Sequence, residues 1–518
     1  MEIFRLIDVQ ELRIVEFRQV NLKSLEYATL SYVWGGSQQN ALLRANVDAL
    51  QASGSLADVP KSIQDAICFT KDLSIPFLWV DRLCIIQDSD EDKSFQISNM
   101  GNIYSSSVVT LVAATGQSAN AGLPGVASAR KPAQMSFVID YNGLEGPAEI
   151  LTRLIPTIGP YSHPTDETIW ASRGWTFQEQ ELSTRLLYFL DEQILWSCAN
   201  GHRSEETHSE TSLAKARWNQ NQNQPHLFEL RSGLSNLGNR TTAGNVERLW
   251  IMIVRDFTNR SLSFPGDALD AVTGALQFFQ SVTGREFLWG IPRKEFEHNL
   301  LWNFLAQPNR RTCMTTLPST SLNCCVGYPS WSWLGWEHLY MSWLLPNPSP
   351  PRLELVSQEN GSDFEAVYTP SLDEVEAILQ EWNVTAGDIP DDQYLVLKTQ
   401  RAKFPATKNA AGRMNIYLDV RRRTDGPAKM VKTNVLDRQG RSVGKYVAER
   451  IGQPDLEDQV ERDFVYISCE PGPGTGAKIV HALEVEQKGG IWCRVDAADI
   501  DEEAWNEAVV SEEVVILG

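Results

Sequence analysis

A chain of 518 residues, 42% of them hydrophobic and 16 of them tryptophan, can bury a large core, and 22% charged residues argues against wholesale disorder. The formal net charge of −20 repels phosphate backbones and anionic lipid heads. It excludes a general nucleic-acid role unless a local basic patch supplies one. The N-terminus lacks a basic segment followed by an apolar stretch, and no run of about 18 apolar residues occurs, so a cytoplasmic chain without a membrane span is expected.

In chain order, residues 4–9 and 13–17 have the character of short strands. Residues 28–34, Ala-Thr-Leu-Ser-Tyr-Val-Trp, form a β-branched and aromatic run that stops at Gly35-Gly36, which predicts a buried strand ending in a turn. Pro60 then opens a helix with Ile63, Ala66, Ile67 and Thr70 on one face. Residues 77–80 predict a second buried strand, running into Asp81-Arg82-Leu83-Cys84-Ile85-Ile86. The acids among residues 87–93 suit the start of a helix over 95–104, and 108–113 predict a third strand. Strands alternating with helices imply a parallel α/β sheet. Residues 119–133 are small and loop-like. A further block runs from Trp170 to Glu179, followed by a strand pair, 186–189 and 193–197, around a turn at Leu190-Asp191-Glu192.

The polar stretch 218–225 marks a boundary. Beyond it, 246–258 and 268–280 predict amphipathic helices, with stripes at Leu249, Ile253 and Phe257, then Leu269, Val272, Leu276 and Phe279. Residues 346–351 are proline-rich, and 394–397 and 464–467 are strand-like. Residues 413–450 carry ten Lys/Arg against four Asp/Glu, including Arg421, Arg422 and Arg423 after the strand-like run 416–420. A solvated strand edge explains them, and an acidic partner is the alternative. The eight cysteines, at 68, 84, 198, 313, 324, 325, 469 and 493, form no C-x-x-C pair, so neither structural zinc nor a disulfide framework is expected. The run His202, Glu205, Glu206, His208 lacks the order of a metalloprotease motif. Residues 472–478 have the wrong spacing for a phosphate loop. No metal site follows from either.

Three stretches, taken together, resemble a known family. Tyr27-Ala28-Thr29-Leu30-Ser31-Tyr32-Val33-Trp34-Gly35 is similar to the first signature block of the fungal heterokaryon-incompatibility (HET) domain. Leu78-Trp79-Val80-Asp81-Arg82-Leu83-Cys84-Ile85-Ile86-Gln87-Asp88, continued by Met100, Ile103 and Tyr104, resembles the second. Arg173-Gly174-Trp175-Thr176-Phe177-Gln178-Glu179, with Leu182, Ser183 and Arg185, resembles the third. Residues 260–271, 329–336 and the ending from Trp505 also resemble segments that follow such domains. There are two departures. Ile86 stands where the family usually has Asn, and Asp92 where Glu is usual before the basic residue, with Glu91 one position earlier.

The resemblance implies an α/β HET domain over 1–215, with a mostly parallel sheet flanked by helices, then a helical region over 216–345 and a mixed β-rich region over 346–518. It implies an effector or regulator of cell death when incompatible fungal cells fuse. HET domains also resemble, remotely, TIR domains, some of which hydrolyse NAD. NAD or NADP is therefore an implied substrate rather than a cofactor, and no resident cofactor is implied. Self-association or an incompatibility partner protein is the implied interaction.

Cleavage of an N-glycosidic bond requires a carboxylate near the ribose, an aromatic wall and donors for the pyrophosphate. In parallel α/β folds such groups gather at strand carboxyl ends. The expected catalytic acids are Asp81, Glu91, Asp92 and Glu179. The expected substrate-binding residues are Ser31, Tyr32, Trp34, Gly35, Cys84, Gln87, Asp88, Arg173, Trp175 and Gln178. Structural roles stand beside these. Trp34, Trp79 and Trp175 suit core positions, Asp81 suits a buried acceptor for Arg173 or a turn, and Cys84 suits a small buried hydrophobe. Residues 88–92 suit a helix N-terminus. Two other functions stay open: a non-catalytic interaction module, and a biosynthetic enzyme acting on a small metabolite.

Overall fold

The computed structural model describes residues 1–35, 41–130, 134–139, 148–153, 165, 168–198, 201–205, 243–293, 296–302, 309–311, 328–337, 395–408, 432–436, 442–447, 460–471, 478–488 and 491–518. The expected boundary at 218–225, the proline-rich 346–351, the arginines at 421–423, Cys313, Cys324, Cys325, Glu206, His208 and the loop 472–477 lie outside these residues. Two compact units divide the chain. The first comprises Met1–Ile253, Arg260–Leu262 and Asp270–Val282, and the second comprises Val254–Asn259, Ser263–Leu269 and Thr283–Gly518.

In the first unit, β1 (Ile3–Asp8) and β2 (Arg13–Arg18) form an antiparallel hairpin. β3 (Tyr27–Ser31), β4 (Phe77–Trp79) and β5 (Val109–Ala113) follow. A separate hairpin pairs β6 (Gln134–Ile139) with β7 (Ala148–Arg153). β8 (Arg185–Phe189), β9 (Ile194–Cys198) and β10 (Gly201–Ser204) return to the main sheet. Its order is β10-β9-β8-β5-β3-β4-β1-β2. The central strands β4, β3, β5 and β8 run parallel, and antiparallel strands extend both edges. This is the expected α/β sheet.

Helices connect the parallel strands. After α1 (Val47–Leu50), α2 (Lys61–Asp72) follows Pro60 and buries Ile63, Ala66, Ile67 and Thr70. A single turn, α3 (Asp81–Cys84), caps β4. The helix expected over 95–104 is two helices, α4 (Asp90–Ser98) and α5 (Met100–Ser106). They part at Asn99, whose side-chain amide donates to the Phe95 carbonyl at 2.8 Å and competes with the backbone ladder. α6 (Thr176–Leu182) precedes β8.

Strand side chains alternate between faces, which places Tyr27, Thr29 and Ser31 of β3 together. The Tyr27 hydroxyl donates to the Ile103 carbonyl of α5 at 2.6 Å. Thr29 shares a hydrogen bond with Thr110 of β5 at 2.7 Å, and Thr110 shares one with Ser183 at 2.6 Å. The Ser183 hydroxyl donates to the Glu179 carbonyl at 2.6 Å, so a buried hydroxyl ladder ties the end of α6 to the sheet. The opposite face of β3 presents Ala28 and Leu30 to the main hydrophobic core, which also takes Ile63, Ala66 and Ile67 of α2. Among the parallel strands, the chain visits β3, then β4 on one side, then β5 and β8 on the other. A sheet that reverses its winding this way opens a crevice at the carboxyl ends of the strands flanking the reversal. Here those strands are β3 and β5.

In the second unit the expected strand-like pieces belong to a largely antiparallel seven-stranded sheet. Its strands are Lys432–Leu436, Ser442–Val447, Ile491–Asp501, Lys478–Lys488, Val460–Pro471, Leu395–Lys408 and Val509–Leu517, in that spatial order. Lys432–Leu436 also pairs with Leu395–Lys408, so hydrogen bonding runs back across the sheet. One face packs Phe404, Phe464 and Ala482 around Trp505 of the helix Glu502–Ala508. The Ser330-Trp331-Ser332-Trp333 run is buried in this unit, where Trp333 donates to Gly290 at 2.9 Å and Trp302 donates to Trp331 at 3.1 Å.

Candidate active site

β3 ends at Ser31, and the chain continues through Tyr32, Val33 and Trp34 to Gly35. Gly35 holds φ +69°, and a Cβ there would lie 2.9 Å from the Ser118 Cβ, so the turn that closes this strand end requires glycine. On the neighbouring parallel strand, Asp81 opens α3 directly after β4. α6 lies on the Ser31 face and brings Glu179 to the same place.

The contacts are specific. The Ser31 hydroxyl donates to a Glu179 carboxylate oxygen and accepts from Trp170 Nε1 at 2.6 Å. The Tyr104 hydroxyl is a second hydrogen-bond partner of Glu179. Trp34 Nε1 donates to Asp81 Oδ2 at 2.7 Å, and the Arg82 backbone N–H donates to Oδ1 at 2.7 Å. The buried Arg82 guanidinium lies over the Trp34 ring, 4.7 Å from its centroid. Arg173 donates to the Tyr32 carbonyl at 2.7 Å. The Tyr32 side chain is 3% exposed and its hydroxyl has no hydrogen-bond partner, although Asp81, Arg82, Arg173 and Glu179 all act on it electrostatically. Such an orphan hydroxyl has a hydrogen bond to give to an incoming group.

The electrostatics set the two carboxylates apart from ordinary surface acids. Burial pushes Glu179 up to about 7; the Ser31 hydrogen bond opposes the rise, Asp81 adds to it, and Arg173 and the Tyr104 hydrogen bond oppose it. Burial likewise raises Asp81, against hydrogen bonds from Arg82 and Trp34 and the charges of Arg173 and Arg82. Asp81 remains partly exposed, whereas Glu179 is 6% exposed. The arrangement therefore holds a carboxyl group that changes protonation near neutrality beside a second, more accessible one.

The structure brings together Ser31, Tyr32, Trp34, Asp81, Arg173 and Glu179 of the expected site residues. Gly35 shapes the turn beside them. Gln87 Nε2 donates to the Asp81 and Ile85 carbonyls at 3.1 Å each, bracing the α3 turn from behind. The other residues are placed differently. Glu91 is exposed on the first turn of α4. Asp92 binds Arg5 at 2.9 Å and accepts the Ile86 N–H at 2.8 Å, so its carboxylate ties α4 to β1 and to the α3 exit. Asp88 accepts the Arg44 N–H at 2.8 Å on the surface. Cys84 is buried, with its thiol pushed up to about 12 by burial, and no reactive thiolate follows from that setting. Trp175 packs on the main core, and Gln178 is buried against Met100.

Two residues of the cluster, Trp170 and Tyr104, were not among the expected site residues. Trp170 lies three residues before the third block and Tyr104 closes the second, and both are large aromatics in apolar surroundings. A polar atom on each is the only sequence signal, and its use depends on the partner it meets. Among the described residues, no group of His, Cys, Asp and Glu is arranged to hold a metal ion, and no helix is long and apolar enough to cross a membrane.

Comparison with known proteins falls on the same stretch. Residues 27–179 match the family model described as heterokaryon incompatibility protein (HET). A curated relative, "Heterokaryon incompatibility protein 6, OR allele" of Neurospora crassa, is 33% identical over 88 residues. That alignment covers 15% of this chain and 13% of the relative, so the chain spans only a small part of the curated protein it matches. No solved structure matches.

Proposed function

We propose that this chain, which carries a HET domain over residues 27–179, acts in fungal heterokaryon incompatibility, and that its domain cleaves the nicotinamide–ribose bond of NAD or NADP to trigger programmed cell death. The observation that carries the chemical part is the pair Asp81 and Glu179, two electrostatically coupled carboxylates, with Asp81 at a parallel-strand carboxyl end and Glu179 brought beside it by α6. Asp81, the more exposed, faces the ribose and balances positive charge as the C1′–N bond breaks. The bonding pair leaves with the ring nitrogen and yields neutral nicotinamide. Water adds to C1′ and gives its proton to ionised Glu179, whose midpoint near 7 suits a base at neutral pH. Trp34 supplies an aromatic face, while Arg173 and the unpartnered Tyr32 hydroxyl supply donors.

The experiment is incubation of the purified full chain with NAD, and separately NADP, while nicotinamide release is followed. Release that is lost in Asp81→Asn and in Glu179→Gln supports the reading. Absence of release at high protein concentration, in every oligomeric state obtained, sinks it.

A second reading has its own support. Glu179 is 6% exposed and already engaged by Ser31 and Tyr104, as a residue serving shape rather than chemistry would be. On that reading the domain is a non-catalytic module that self-associates or binds an incompatibility partner. A folded Glu179→Ala protein that still triggers death in cells would favour it.

A further inference from the structure

The Ser31 hydroxyl has one proton and two polar contacts. One is Trp170 Nε1 at 2.6 Å, and the other is the Glu179 carboxylate. An indole N–H only donates, so Ser31 accepts from Trp170 and its single proton is left for Glu179. Trp170 is itself held: its ring is fully buried and meets Tyr188 edge-on, with centroids 5.8 Å apart. Its carbonyl, at 2.7 Å, shares the Thr176 hydroxyl with the Arg173 carbonyl at 2.8 Å, at the first residue of the helix that carries Glu179. One residue thus grips both the hydrogen-bond partner of Glu179 and the start of its helix.

We infer that Trp170 is a positioning residue for Glu179: its indole N–H fixes Ser31 as a one-way donor, and its carbonyl anchors the helix on which Glu179 sits. The catalytic consequence rests on the reading of Glu179 as the base; the positioning itself does not. The groups that face Glu179 are Ser31 of β3, Tyr32 beyond it, Asp81 of α3, Tyr104 of α5 and Arg173 before α6. Of these, only the Ser31 hydrogen bond runs through Trp170. Without the indole N–H, the Ser31 hydroxyl rotates and the carboxylate loses an enforced donor, which shifts its ionisation upward by about one pH unit. At pH 7 the ionised fraction then falls from about a half to about a tenth, a loss of roughly fivefold in rate at unchanged KM, recovered near pH 9.

The test uses the full chain with 13C-labelled glutamate carboxyl groups, with the Glu179 signal identified by its absence in Glu179→Gln. Trp170→Phe is expected to raise the midpoint of that signal by about one unit, and to do nothing further in a Ser31→Ala background, where the relay is already broken. A midpoint unmoved by Trp170→Phe, or one moved equally with and without Ser31, overturns the inference. Should Trp170→Phe fail to fold, the native chain decides. The Trp170 indole 15N–1H resonance is expected to titrate with the Glu179 midpoint and to lose that dependence in Ser31→Ala, and an indole signal blind to Glu179 overturns the inference. These readouts need no turnover, so an inactive chain with a shifting midpoint would remove the NAD reading and leave the positioning role standing.

Discussion

Two buried glutamates, one in each unit, are treated in opposite ways. Glu484, in the antiparallel sheet, is 2% exposed and meets the Arg462 guanidinium directly at 2.7 Å. A neighbouring acid there follows suit: Asp463 pairs with Arg401 at 2.7 Å. Glu179, on α6 beside the parallel-centred sheet, is 6% exposed and meets Ser31 and Tyr104, both neutral, while the Arg173 guanidinium, which acts on it electrostatically, donates to a backbone carbonyl. Direct pairing across adjacent strands neutralises a charge and leaves little to react. Neutral donors at a strand end tolerate the charge without cancelling it, and the group stays poised between its two protonation states. The contrast separates a carboxylate neutralised by a direct cation from one held by neutral donors, and it does so on physical grounds that are independent of any family likeness.

Substitutions in both units test this difference. The largest effect is expected from Arg462→Ala, which strips the direct cation from Glu484 and should cost about 4 kcal/mol in denaturant unfolding of the second unit; a loss under about 1 kcal/mol would show that the two glutamates are not treated differently after all. Next is Glu179→Gln. Burial raises Glu179 from 4.5 to about 7, so between those values the folded chain holds a proton that the unfolded chain has released. Stability conferred by this group is therefore greatest at and below about pH 4.5, falls as pH rises to about 7, and is level above that. The amide escapes this cost, so Glu179→Gln should be about 3 kcal/mol more stable than the parent at pH 8 and nearly equal to it at pH 4.5, as read by urea unfolding at both.

Two smaller effects probe how α6 is held. At Gly274 a Cβ would meet Gln178 Oε1 and Leu182 Cδ1 at 2.8 Å and the Gly101 Cα at 3.2 Å, so Gly274→Ala should destabilise the first unit by about 2 kcal/mol and lower any Glu179-dependent activity with it. Thr110→Val interrupts the hydroxyl ladder and should cost about 1.5 kcal/mol. The smallest change belongs to the exposed Glu91: Glu91→Gln should stay within about 0.5 kcal/mol of the parent and leave nicotinamide release unaltered. A large loss there would return the α4 terminus to the site.

The parallel strands and their ends were legible in the sequence because β-branched runs stop at turn residues, as in Leu30-Ser31 before Gly35 and Trp79 before Asp81. Ser31 and Asp81 stand at such ends, so their placement there was legible as well. Asp92 was not separable from them: its acid stands in the same stretch, and only the fold brings Arg5 to it from 87 positions away. Trp170 and Tyr104 stayed hidden for the opposite reason. Their bulk places them in a core, and one polar atom on each decides a role that appears only when Ser31 and Glu179 arrive beside it. The break at Asn99 depends on which way a side-chain amide turns, which periodicity does not record.

The family-model match ends at residue 179, but the packing that holds α6 does not. Arg260 donates to Thr176 at 3.1 Å and to Gln180 at 2.9 Å, Ser261 bridges to Arg173, and Gly274 lies against Gly101. For anyone transplanting this domain between proteins, the cut that similarity suggests would sever the splint around Glu179. A chimera joined after residue 282 carries its own splint, whereas one joined after residue 215 must borrow a compatible one from its new host. Exchange of such modules among related chains would then be permitted only between hosts whose following segment presents a matching arginine and glycine.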